Sequence, residues 1–155
     1  MSAKTIDLES MEEEMINFDV LNEKWQVYEL EDNTIIKSKF LLINILAYGV
    51  PDEEGKRLTR FGTQTINVIH SPRGIRGPPD RTWTAEELEP YVTETNLKKR
   101  LIKDSGLYRY ESENSIFEVD YMIRQVDKTS KYDAIGMPAY IIRSKTSIIS
   151  VKKEQ

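Results

Sequence analysis

A long apolar stretch of the chain returns later in similar form. Asn33 to Ile45 reads NTIIKSKFLLINI, and NSIFEVDYMIRQV begins at Asn114, 114 − 33 = 81 positions later. The offset matches Asn33 to Asn114, Thr34 to Ser115, Ile35 to Ile116, Ile36 to Phe117, Phe40 to Tyr121, Leu42 to Ile123 and Ile45 to Val126. It also carries Asp52-x-x-Gly55 onto Asp133-x-x-Gly136. One fixed step aligns a strand, a loop and a turn without a gap, which is how internal repeats look in sequence. Two readings follow: a duplicated unit, or two unrelated hairpin regions of one β domain. In both, the two stretches are strands.

The first long strand has an informative pattern. Ile36, Ser38, Phe40 and Leu42 share one face. The other face carries Lys37 and Lys39, then turns apolar at Leu41, Ile43 and Ile45. Apolar residues on both faces predict a strand that is central or covered on both sides. At the matching positions Lys37 and Lys39 become Glu118 and Asp120. If the two long strands pair antiparallel about a pseudo-twofold, Lys37 lies opposite Asp120 and Lys39 opposite Glu118. Otherwise four surface charges simply differ.

Around these strands the chain reads as β structure. Trp25 to Leu30 alternates before the polar Glu31-Asp32-Asn33 turn, and Leu58 to Ile69 supplies another strand. In the second copy, Leu107 to Tyr110 precedes the long strand, and Ala139 to Arg143 and Ser147 to Val151 follow the Lys131–Pro138 turn. Gly55 and Gly136 are expected to supply positive φ in the two matched turns.

Two stretches break the pattern. In residues 1–24, Leu8, Met11, Met15 and Phe18 fall on one helical stripe, and Ser10 with Glu13 spells a capping box. This predicts an acidic amphipathic helix. Met11, Met15 and Phe18 then either pack on the β core or dock in a partner's groove. In residues 70–106, His70 to Arg81 is too rich in Pro and Gly for a helix or a central strand. Thr84-Ala85-Glu86-Glu87 is a second capping box, opening a short helix that Pro90 perturbs. A further helical turn is predicted from Asn96 through Leu97, Leu101 and Ile102 to Gly106.

The expected fold is mostly β, of barrel or sandwich type, built from small units of SH3-like or Sm-like size. Its parts are an acidic N-terminal helix (1–24), a first β unit (25–69), a loop-and-helix connector (70–106), a second β unit (107–151) and a tail (152–155). Strand lengths suit the small Sm-like and SH3-like barrels, but their diagnostic motifs are absent. The units form two small barrels or one pseudo-symmetric sandwich. A unit of about 45 residues buries too little apolar surface alone, which favours one shared core.

Composition narrows the function. There is no cysteine, which excludes disulfides, thiolate nucleophiles and cysteine zinc sites and fits a reducing compartment. A single histidine, His70, excludes paired-histidine metal sites and is read as a loop residue at a strand end. No phosphate-cradling glycine loop or nucleophile elbow is present. The acidic turns lack EF-hand spacing. The chain is expected to be non-enzymatic, without cofactor or metal. No run approaches a membrane span and no secretory signal is legible, so a cytoplasmic location is expected.

Net charge is −4, which argues against sequence-independent nucleic-acid binding through a wide basic face. A local basic patch remains. Arg73, Arg76 and Arg81 lie within nine positions on a Gly/Pro scaffold just before Trp83. Guanidinium groups fork onto phosphate or carboxylate oxygens, and an indole stacks bases or cations. The primary expectation is a non-catalytic accessory protein that binds another protein. The alternative is a nucleic-acid or phospholigand site at Arg73, Arg76, Arg81 and Trp83.

Overall fold

The structure is a computed structural model and describes residues 12–153. Among the described residues ten strands form two five-stranded antiparallel sheets, with no closed barrel. The first half contributes β1 (Glu13–Met15), β2 (Phe18–Asn22), β3 (Gln26–Leu30), β4 (Ile35–Tyr48) and β5 (Leu58–His70). A helical turn, α1 (Ala85–Leu88), precedes β6 (Val92–Glu94), β7 (Lys99–Lys103), β8 (Tyr108–Ser112), β9 (Ser115–Tyr132) and β10 (Pro138–Lys152).

The two sheets share one plan. In the first, β4 is central; β5 runs along one edge, β3 and β1 divide the other, and β7 lies outside β3. In the second, β9 is central; β10 runs along one edge, β8 and β6 divide the other, and β2 lies outside β8. Each strand of one sheet thus has a counterpart five places away in chain order, with β2 and β7 exchanged between the halves. Asn22 Nδ2 marks the crossing point. It donates to the carbonyls of Ser105 (3.0 Å) and Leu107 (2.6 Å), tying the β2–β3 link to the β7–β8 link.

The correspondence reaches single residues. The β4–β5 ladder skips Ile43, and the β9–β10 ladder skips Arg124, which is 81 positions later. Such an extra residue is a β-bulge. The two turns also match. Asp52 Oδ1 accepts from the N–H groups of Glu54 (2.9 Å) and Lys56 (2.8 Å), and Asp133 Oδ1 from those of Ile135 (3.0 Å) and Met137 (2.9 Å). Gly55 and Gly136 take φ of 80° and 88°, as the sequence leads one to expect.

Three expectations are overturned. The N-terminal helix is not formed over its described part. Residues 13–15 pair with the end of β4, and 18–22 pair with β8. A helix this short is marginal in water, and a ladder to a buried neighbour outweighs its propensity. Met15 lies 64% exposed on β1, and Phe18 packs edge-on against Tyr110 at 5.7 Å; Leu8, Ser10 and Met11 lie outside the described residues. The second helical turn near 96–106 is instead β7, entered through Asn96 at φ 50°. The charge-swap pairing is also wrong. β4 and β9 sit in different sheets, and Glu118 faces Arg109 at 3.7 Å rather than Lys39.

The bulge also explains β4 differently from the sequence reading. Ile36, Ser38, Phe40 and Leu42 point inward; after Ile43 the phase flips, and Ile45 and Ala47 point inward. Ile43 itself is 53% exposed. β4 is central, as expected, but its apolar residues on both faces record a change of phase and not a strand covered on both sides.

Both halves contribute to the core. One cluster joins Phe40, Leu42 and Ile45 to Tyr108, Tyr110, Phe117, Val119 and Tyr121. A second joins Tyr28, Leu30 and Ile36 to Ile123, Val126 and Tyr140. Tyrosine suits this core only where its hydroxyl finds a partner. Tyr121 meets Ser38 at 2.6 Å, Tyr28 donates to Gln26 at 2.7 Å, and Tyr110 donates to Glu23 at 2.8 Å. Tyr108 is the exception. Ser105 and the Phe40 backbone lie close enough to act on its acidity, yet among the described residues its buried hydroxyl has no partner in hydrogen-bonding geometry. Removing an unsatisfied buried group of this kind relieves a desolvation cost of about 1–3 kcal/mol. Tyr108→Phe should therefore keep or raise the urea midpoint, whereas Tyr121→Phe, which removes a bond made to Ser38 and leaves Ser38 only its bond to Asn67, should lower it.

Candidate functional site

The connector does not hang free. Residues 77–80 run along the β9–β10 turn, with the N–H of Gly77 donating to the Gly136 carbonyl and that of Asp80 to the Asp133 carbonyl, both at 2.9 Å. The approach is close because both contact residues lack a side chain. A Cβ on Gly136 would lie 2.5 Å from the Gly77 carbonyl oxygen, and one on Gly77 would lie 2.4 Å from the Tyr132 ring. Gly136→Ala adds strain from its positive φ to that clash and should cost about 1–3 kcal/mol, measured by chemical denaturation.

Beyond this seam, α1 opens with the capping box expected from sequence. Thr84 N–H donates to Glu87 Oε1 (3.0 Å), and Glu87 N–H donates to Thr84 Oγ1 (3.2 Å). The bond from the Thr84 N–H, with Arg81 assisting, holds the Glu87 carboxyl below the usual range. Leu88 then packs with Trp83 and Val92 over Ala139 and Ile141, on the outer face of β10.

The structure places the four loop residues apart in role. Arg73 is exposed on a 3₁₀ turn, Arg73–Ile75. Arg76 Nε donates to the Ser71 carbonyl at 2.8 Å. Arg81 stacks on Trp83 at 3.8 Å from the ring centroid and pairs with Glu87 at 2.9 Å. Trp83 donates its Nε1 proton to the Tyr132 carbonyl at 3.0 Å. Lys131, missed in the sequence reading, adds its charge over Tyr91 at 4.3 Å. So Arg81, Trp83, Tyr91 and Lys131 form one cation–aromatic cluster, while Arg73 stands aside. An open cleft of about 400 Å³ lies next to it, lined by Trp83, Asn67, Ile69, Asp133, Tyr140 and Ile142.

Beneath the loop lies a polar network that no local sequence pattern announces. Asp32 sits in the β3–β4 turn, next to Asn33 at φ 68°. Its carboxylate accepts from Tyr140 at 2.5 Å and Lys128 at 3.0 Å, and from the Thr34 N–H at 3.0 Å. Thr34 continues to the Ser71 hydroxyl at 2.8 Å. Burial alone would raise the Asp32 carboxyl, but the bonds from Tyr140 and Lys128 overcome it and hold the group below the ordinary range. Burial and the neighbouring carboxylate push the Tyr140 hydroxyl up. Every member is engaged with another, so the network fixes the start of the loop.

The open sheet edges are the other candidate. β5 pairs only with β4 among the described residues, and none of its thirteen residues is buried. Ile66 and Val68 point outward, 36% and 49% exposed. His70 is the last residue of this strand, opposite Ile35. β5 carries one charge, Arg60, and no proline or lysine. By contrast β10 starts at Pro138 and carries Arg143, Lys145 and Lys152.

Among the described residues no group of three or more His, Asp or Glu could hold a metal ion, and no helix is long and apolar enough to cross a membrane. No family model, curated protein or solved structure matches the chain.

Proposed function

We propose that this chain is a duplicated five-strand unit acting as a non-catalytic accessory module, and that it binds a protein partner by strand addition along β5. Duplication is supported by the single offset that carries the bulge from Ile43 to Arg124 and the Asx turn from Asp52 to Asp133. Binding rests on one observation: a thirteen-residue edge strand, unburied and undefended. Natural edge strands are usually blunted by lysine, proline or short length, because an open row of backbone groups pairs with any available strand. β10 has lysine and proline, and β5 has neither. An extended segment of another protein would gain main-chain bonds there, with Ile66 and Val68 selecting its side chains. The lack of cysteine agrees with a reducing setting, and a cytoplasmic location belongs to the same proposal.

The test is capture from native extract by the intact chain and by an Ile66→Lys/Val68→Lys variant, each with and without nuclease. The proposal expects a protein retained by the wild type, indifferent to nuclease and lost by the variant. Capture that survives the edge substitutions overturns it.

A second reading keeps the loop as a phospholigand site, favoured by the rigid cluster of Arg81, Lys131 and Trp83 beside the cleft. Arg81 is already paired with Glu87, which weakens this reading. Polyphosphate or single-stranded DNA binding that falls steeply with salt and vanishes in an Arg73→Ala/Arg81→Ala variant would favour it. No binding by the wild type at low salt would end it.

A further inference from the structure

We propose that copies of this chain associate with one another by pairing β2 of one copy with β7 of the next. Both are outermost strands, each paired to one neighbour among the described residues. Val20 and Leu21 are 52% and 46% exposed, and Leu101 and Ile102 are 44% and 50% exposed. Each strand thus shows water two adjacent apolar side chains, at the point where its ladder to its neighbour skips a residue, Leu21 in β2 and Ile102 in β7. Its outer backbone edge is unpaired among the described residues.

Charge identifies the neighbour. β2 carries Asp19 and is followed by Glu23, whereas β7 carries Lys99, Arg100 and Lys103. Two β2 strands would set acid against acid, and two β7 strands base against base. Only β2 against β7 brings unlike charges together, so the same residues attract one partner and refuse the other two. An antiparallel alignment with Leu21 opposite Leu101 puts Val20 opposite Ile102 and Asp19 opposite Lys103. The unlike pair Glu23 with Lys99 and the like pair Lys24 with Lys98 both reach beyond β2, and Glu23 and Lys99 already bond to Tyr110 and the Arg124 carbonyl, so Asp19 with Lys103 carries the charge match. Within one chain β2 and β7 lie in different sheets, so the complementarity is available to a second copy. A strand pair this short covers less than a standard interface, so the association should be weak and dependent on concentration.

Asp19 and Lys103 are exposed, so their charge can be reversed with little effect on the fold. Sedimentation of the intact chain between about 10 and 500 µM should show reversible self-association that weakens with salt. Asp19→Lys alone and Lys103→Glu alone should each weaken it on the order of tenfold. Mixing the two variants should restore association, since each then supplies the charge the other lacks. An Ile66→Lys/Val68→Lys variant should associate like the wild type, which separates this surface from the partner edge on β5. A wild type that stays monomeric throughout, or a mixture that associates no better than its components, overturns the proposal.

Discussion

Replacing Phe40 by alanine should cost about 3–5 kcal/mol, enough to leave the chain largely unfolded at physiological temperature. Phe40 is 1% exposed on the central strand of the first sheet. Its ring meets Tyr108, Tyr110 and Tyr121 of the second half at 5.7, 6.4 and 6.0 Å. The substitution removes a large buried ring and leaves a cavity that rigid aromatic neighbours cannot close. It also removes edge and tilted aromatic contacts that add to simple burial. Phe40→Leu retains most of the volume and should cost clearly less. Equilibrium urea denaturation followed by tyrosine fluorescence and far-ultraviolet dichroism reads both, and the two signals should fall together, because the same cluster joins both sheets.

Asp32→Ala should cost about 2–4 kcal/mol, because it strips an acceptor from three donors at once. Lys128, 19% exposed at its side chain, would be left without its counter-charge, and Tyr140 without its acceptor. Adding Lys128→Met should recover part of the loss. The acid limb of stability gives an independent measure. The folded-state acidity of Asp32 is shifted so that its carboxyl ionises below the unfolded value. Its contribution is then complete above the unfolded pKa of about 4 and is lost as pH falls through the folded value. Asp127 behaves alike: burial opposes ionisation, but the Asn96 N–H, Gln125 and Arg143 outweigh it. Asp32→Asn should therefore flatten the fall in stability below pH 4 without abolishing it.

The β class was legible because β4 and β9 alternate up to their bulges, and the turns because Asp and Gly recur at one spacing. Thr84 and Glu87 spelled their cap in advance. What escaped was set by tertiary pairing. Residues 13–22 carry a helical stripe, yet their partners are β4 and β8, the latter about ninety positions away. A signal for them existed: the 81-residue offset aligns Val20-Leu21 with Leu101-Ile102, the two exchanged strands. The bulges at Ile43 and Arg124 carry no composition mark, so the phase change in β4 read as a two-faced strand. At the candidate site, Arg73, Arg76, Arg81 and Trp83 were found as a group because they are neighbours in sequence. Their division into Arg73 alone and an Arg81–Trp83 stack depends on Glu87 and Lys131. Asp32 and Lys128 meet across 96 positions, beyond any local pattern.

The exchange of β2 and β7 between the two halves is what makes one fold of two similar units, and a chain without cysteine allows a clean test of it. Asp19 on β2 lies opposite Glu111 on β8. If β2 stayed with its own half, its partner would be Glu29, the residue of β3 that matches Glu111, since each pairs with the isoleucine that opens the long-strand ladder. Opposed residues of antiparallel strands sit about 4.5–5.5 Å apart at Cα, within disulfide reach. Mild oxidation of Asp19→Cys/Glu111→Cys should give an intramolecular disulfide in folded monomer, and Asp19→Cys/Glu29→Cys should remain reduced. The opposite outcome, with the bridge forming to position 29 and not to 111, would contradict the exchange.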